Sequence, residues 1–268
     1  MIDLVLIALF FSLHQIFIRK GVEYGDANYG AFVSLLTTSV IFSVLSIGRA
    51  HFEPKFLALM VIAGIMHFLL ARTAFYNAIS RIGANSAGSI SATRVFFAVI
   101  IGLMLGERVG INVLVMALLI FLGIYLISSP SGAGDWKGIV LALFTGLITA
   151  ASSGVVKMGM EVHADPVFGS AIGYVTSTLL FPLFFKYERK GGERFFIPAG
   201  IFVGLGHFLR YRALISYPVS VVEPFLSIYP LFTLILTAFV FRSVENVTRN
   251  IAIGSILIIA GVESYYLL

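Results

Sequence analysis

The chain has 268 residues, 59% hydrophobic and 12% charged, against roughly 45–50% and 25% in soluble domains, so a water-soluble fold is excluded. The net charge of +5 is spread singly between apolar runs, with no basic face for nucleic acid. There is no cysteine, which excludes disulfides, thiolate metal sites and thiol catalysis.

A helix crossing a hydrocarbon core of about 30 Å needs about 20 apolar residues. In chain order, ten stretches meet that need: 2–18, 29–47, 56–80, 84–106, 111–129, 138–160, 166–185, 195–216, 219–241 and 250–268. The first lacks a basic leader and a small-residue cleavage site, and is read as a membrane helix, not a signal peptide. Pro130-Ser131-Gly132-Ala133-Gly134-Asp135 is the clearest linker. It divides the chain into residues 1–130, a linker 131–137, and residues 138–268. The polar run 186–194 is read as a solvated connector.

The two halves match. Gly64-x-x-His67-Phe68-Leu69-x-x-Arg72 answers Gly204-x-x-His207-Phe208-Leu209-x-x-Arg212 at a displacement of 140. Glu107-x-Val109-x-x-Asn112 answers Glu245-x-Val247-x-x-Asn250, and Gly123 answers Gly261, at 138. Five spans per half is an odd number, so the second half enters the membrane from the opposite side. The expected fold is an all-α polytopic membrane protein with ten transmembrane helices as two inverted five-helix repeats, an architecture of alternating-access transporters.

This arrangement resembles the drug/metabolite transporter superfamily, in its EamA-type ten-helix branch. The resemblance rests on Ala78 before Gly83-Ala84-Asn85-Ser86, then Gly106-Glu107-Arg108 and Gly123 in the first half. In the second half it rests on Ala213 before Pro218-Val219-Ser220, then Pro224, Tyr229-Pro230, Glu245 and Gly261. Lys20 and Lys157 resemble the basic residue that ends the first helix of each family repeat. Where the family often has Trp-Gly in its first helix, this chain has Ser12-Leu13 followed by His14-Gln15. The resemblance implies solute transport, commonly export of small metabolites, amino acids or toxic compounds.

Ionisable groups at membrane depth are costly and face the bundle interior or a wet cavity. Arg94 lies midway along the fourth span, on a helix lined by Ser86, Ser89 and Thr93. His67 and Arg72, and His207 and Arg210 with Arg212, lie in the third and eighth spans. A five-residue spacing turns each matched His and Arg about 140° apart on an α-helix. Tyr76, Asn77 and Tyr211 sit at the ends of these spans, where solute binding competes with interfacial anchoring. Together these nine residues are the candidate substrate-binding set. Glu223 adds one carboxylate, as a coupling group with His67 and His207 or as an ion-pair partner of Arg210 or Arg212. Structural roles compete throughout: each histidine can bond a carbonyl and each arginine a carboxylate or helix end. Glu107 and Glu245 are expected to cap the helices that follow them.

Arg72, Arg94, Arg210 and Arg212 outnumber Glu223, which favours an anionic or zwitterionic solute over an organic cation. There is no phosphate-binding loop, HExxH or nucleophile elbow, so an ATP-driven pump and an enzyme are not expected, nor any cofactor or metal. The expected function is secondary transport of a small organic solute across a cell membrane, with membrane lipids as the other partner and no nucleic acid. The alternative is a membrane scaffold or receptor-like binder whose polar residues are structural. Basic residues number ten on the side holding Lys20 and Lys137 and four on the side holding Lys55 and Lys157. That bias places both termini outside, whereas the resemblance implies termini inside.

Overall fold

The computed structural model describes residues 2–127, 135–188, 190–240 and 249–267; linker residues 131–134 and Glu245 lie outside them. Among the described residues every regular element is helical: α1 (Ile2–Gly21), α2 (Ala27–Leu45), α3 (Pro54–Ala63), a π-helical segment (Gly64–Ala71), α4 (Arg72–Ser91), α5 (Arg94–Met104) and α6 (Ile111–Ile127). There follow α7 (Trp136–Val162), α8 (Pro166–Phe184), α9 (Glu193–Ser216), α10 (Val219–Leu226), α11 (Tyr229–Val240) and α12 (Arg249–Leu267). Seven helical stretches among these residues are long and apolar enough to cross a membrane, beside the shorter apolar helices Ile111–Ile127 and Ile253–Leu267. The chain is therefore an all-helical, polytopic membrane protein.

Short polar residues start the helices where the sequence offers them. Asp26 accepts from Tyr29 N at α2, Asp135 from Lys137 N and Gly138 N at α7, and Asp165 from Val167 N and Phe168 N at α8, where Pro166 takes the first helical position. Arg81, 2.9 Å from Asp135, holds that exposed carboxyl below the usual carboxylate range and ties the start of α7 to α4. α4 is broken at Gly83, whose φ of 78° and ψ of 164° suit glycine. This is the turn expected between the third and fourth spans.

The fourth and ninth spans are not the continuous helices their apolar runs imply. A turn at Ala92 and Thr93 separates α4 from α5, and one at Ser227 and Ile228 separates α10 from α11. Hydropathy is blind to such breaks, because the residues stay apolar or small while the ladder is interrupted. In a bilayer the freed backbone groups need partners inside the protein. The turns keep tight backbone bonds, Thr93 N to Ile90 O at 3.2 Å and Ser227 N to Pro224 O at 3.0 Å, and Thr93 Oγ1 and Ser227 Oγ add second donors to Ile90 O and Glu223 O, each at 2.8 Å.

α1 packs on α9, α4 on α7, α2 against both α8 and α9, and α6 on α12. Small residues set the closest approaches, as expected where lipid removes the hydrophobic drive between helices. A Cβ on Gly123 of α6 would stand 2.5 Å from Gly254 O of α12.

Candidate functional site

The interruptions of the helices converge on one cavity, with about 550 Å³ of empty space, part of it open to the outside. Phe11 and His14 of α1 line it with His67 and Ala71 of the π segment, Arg72, Phe75 and Ser91 of α4, and Arg94 at the head of α5. The opposite wall is Thr145 and Thr149 of α7, Val203 and His207 of α9, and Tyr229 at the head of α11.

Arg94 joins the two breaks. Its Nε donates to Ser227 Oγ at 2.9 Å and lies 3.6 Å from Glu223 Oε2, while its guanidinium sits 5.4 Å from the centre of the Tyr229 ring. Glu223 is fully buried and shared: its Oε1 accepts from Arg210 Nε at 2.9 Å and from Ser153 Oγ. Arg210, also fully buried, donates to Thr149 O at 3.2 Å and to Ser153 Oγ. Its Nη1 is 3.2 Å from His67 Nδ1. Ser152 Oγ lies closer to the same nitrogen, at 2.8 Å, so His67 Nδ1 is shared between Ser152 and Arg210. Glu223 Oε1 thus bonds Arg210 while Oε2, buried without a hydrogen-bond partner, is only within ion-pair range of Arg94, and the carboxylate stays out of the cavity lining.

Arg72 approaches from another direction. Its Nη2 donates to Tyr174 OH at 2.6 Å and its Nη1 to Ser34 Oγ at 3.4 Å, with the guanidinium 4.9 Å from the centre of the Tyr174 ring. His67 and His207 face each other edge-on, their centroids 4.6 Å apart, and His207 Nδ1 is buried without a hydrogen-bond partner. His14 Nδ1 lies 2.9 Å from Ala199 O.

Of the nine expected binding residues, the cavity wall brings together Arg94, Arg72, His67 and His207, with Arg210 directly behind His67. Arg212 is different: it is exposed and outside the cavity lining, because an unbroken α-helix turns it away from His207. Tyr76 and Tyr211 are fully buried, with hydroxyls that find no partner, and neither lines the cavity. Burial replaces the interfacial anchoring weighed for them, since both sit inside the helix packing. Asn77 is half-buried and donates to Asn28 Oδ1 at 2.7 Å, a tie between α4 and α2 away from the cavity. Glu223 takes the ion-pair role with Arg210 expected for it, and Arg94 joins that pair.

Glu107 corrects another expectation. Its carboxylate accepts from Val219 N at 2.6 Å, Ser220 N at 3.0 Å and Ser220 Oγ at 2.7 Å, so it caps α10 and not the following α6. The first amides of α10 lack helical partners and carry the positive end of its dipole. Glu245 lies outside the described residues.

Sequence reasoning missed His14, Tyr229 and the α7 wall as parts of the cavity. Thr145, Thr149 and Ser152 fall at i, i+4 and i+7, a buried polar stripe along the middle of a mostly apolar helix. That periodicity was the available signal. Among the described residues no group of three or more His, Asp or Glu could hold a metal ion.

A helical membrane protein whose polar cavity sits where two membrane helices are broken has the construction of a solute transporter. The sequence profile of the EamA-like transporter family matches residues 1–129 and 136–264. The chain belongs to that family and is a multi-pass membrane transporter. A curated relative from Archaeoglobus fulgidus, named an uncharacterized transporter, is 25% identical over 267 residues, which cover 95% of this chain and 93% of the relative. A solved crystal structure shares the fold at a TM-score of 0.78 and 15% identity, covering 99% of this chain and 98% of the other.

Proposed function

We propose that this protein is a secondary transporter that moves a small anionic or zwitterionic organic solute by alternating access. The ten spans form two inverted five-helix repeats, residues 1–130 and 138–268, with the site between them. The two family-profile matches and the repeated motifs support that arrangement. The observation that carries the function is the meeting of both helix breaks at Arg94, where Ser227 accepts from the guanidinium at 2.9 Å. Broken helices leave polar groups at membrane depth, which a transporter uses and a scaffold has no need of.

The cavity's sign supports the solute class. Arg72 and Arg94 line the cavity and Arg210 lies behind it, while the one carboxylate among them, Glu223, is shared by Arg94 and Arg210, leaving a positive surplus that an organic cation would not enter readily. Glu223 and His67 already make fixed contacts with Arg210, so they serve as its ion-pair and hydrogen-bond partners rather than as proton carriers. Purified protein in sealed proteoliposomes is expected to accumulate labelled anionic solutes, with counterflow stimulation and no drive from an imposed pH gradient. Binding of solutes without movement across a broad panel would favour the scaffold reading.

A further inference from the structure

The three buried guanidiniums are unequally used. Arg210 is saturated by Glu223, Ser153, Thr149 O and His67. Arg72 is held by Tyr174 and Ser34 and lies beside the mutually stacked rings of Phe68 and Tyr174, so it contributes field more than free donors. Arg94 is committed through Nε alone, and its Nη2 is buried with no hydrogen-bond partner. Glu223 Oε2, 3.6 Å from Arg94 Nε, is likewise buried without a hydrogen-bond partner, and because Arg94 lines the cavity, its guanidinium has donor capacity that an oxyanion there can take up.

The rest of the wall decides what that oxyanion is attached to. Phe11, Phe75 and Val203 present apolar surface to the same space. Among the described residues the wall carries no carboxylate: Glu223 is fully buried behind it, its Oε1 bonded to Arg210 and its unbonded Oε2 3.6 Å from Arg94 Nε. An ammonium placed there would face Arg72 and Arg94 with no carboxylate in the lining beside it.

We propose that the cavity selects a small monocarboxylate with an apolar body, its carboxylate on the Arg94 guanidinium and its hydrocarbon part against Phe11, Phe75 and Val203, and discriminates against the same skeleton bearing an ammonium group. This rests on the cavity being the solute site, and narrows the solute class from anion or zwitterion to the anion.

Three probes with a common ring test it: 3-phenylpropanoate, phenylalanine and 2-phenylethylammonium, measured for binding to the detergent-solubilised full chain and for uptake into proteoliposomes. The expected order is 3-phenylpropanoate tightest, phenylalanine at least ~10-fold weaker and 2-phenylethylammonium weakest, as loss of a charge-assisted pair or gain of a like charge predicts. In Arg94→Gln the anion's advantage should disappear while the melting temperature is kept. If that variant does not fold, the probe series on the unsubstituted protein decides alone. Equal or tighter binding of phenylalanine, binding of none of the three, or normal 3-phenylpropanoate binding by folded Arg94→Gln overturns the proposal and leaves transport of another solute standing. Binding in the expected order with no uptake of any probe sinks the transport reading and keeps the selectivity.

Discussion

Residues 64–72 and 204–212 share glycine, histidine, phenylalanine, leucine and arginine at matched positions, yet the two arginines end in different places. Arg72 is 5% exposed and lines the cavity, whereas Arg212 is exposed outside it. The cause is the hydrogen-bond ladder. In α9 the ladder is α-helical, so a residue five positions after His207 is turned about 140° from it, while Arg210, three positions after, is only about 60° away and stays inside. In the first segment the ladder is π-helical: the Arg72 N–H bonds to His67 O, five residues back. Arg72 therefore comes round one turn above His67, on the same side. The 140° expectation fails there because it assumed an α-helix. Two copies of one sequence pattern thus place different arginines inside, Arg72 from the π segment in the cavity wall and Arg210 from the α-helix behind His67.

The sharpest break in that comparison is Arg210→Gln. It leaves Glu223 buried with only the more distant Arg94, and removing one partner of a buried pair costs about 3–5 kcal/mol. Thermal unfolding in detergent should show a large loss for Arg210→Gln and a change within about 0.5 kcal/mol for the exposed Arg212→Gln. A similar loss in both would mean that burial does not separate the two positions.

The next effect is on solute binding. Arg72→Gln should weaken anion binding by about 10- to 100-fold, the size expected when a unit charge beside the cavity is lost at an effective dielectric near about 20, with Arg212→Gln within about twofold of the unsubstituted protein. Titration calorimetry with a carboxylate solute measures both. Equal weakening would put Arg212 back in the cavity.

The glycines that open the two segments differ in the same sense. A Cβ on Gly64 would stand 2.5 Å from Gly173 Cα and 2.6 Å from its carbonyl oxygen, both backbone atoms that cannot swing aside. A Cβ on Gly204 would meet Thr38 Cγ2 at 2.8 Å, a side-chain methyl with more freedom to move. Gly64→Ala should cost about 1–3 kcal/mol by overpacking, and Gly204→Ala less. Melting temperatures in the same detergent rank them, and the reverse order would refute the contact argument.

The smallest expected difference is in hydrogen exchange. Amides of 64–72 close the rarer π ladder and should exchange several-fold faster than those of 204–212, read by exchange mass spectrometry on reconstituted protein. Equal protection would show that the π segment is no weaker than its α-helical counterpart.

Much of the architecture is legible in the amino-acid sequence. Apolar runs of membrane length, their short connections and the Gly83 turn follow from hydropathy and glycine chemistry, which act locally. The polar residues at membrane depth were legible for the same reason, as was the proximity of Glu223 to Arg210 across a short turn. What the sequence does not carry is register. The π ladder at Gly64–Ala71, where Gly64 lies against Gly173, cannot be distinguished from an α ladder by counting residues. The breaks before Arg94 and Tyr229 leave no mark in hydropathy, and Glu107 reaches α10, 112 positions away in the chain, because the packing brings that helix's free amides beside it. Composition and local periodicity thus determined a polytopic helical membrane protein with buried cations. Tertiary contacts alone decided which arginine faces the cavity, because a side chain's face depends on helix register, and register was set here by neighbours distant in sequence.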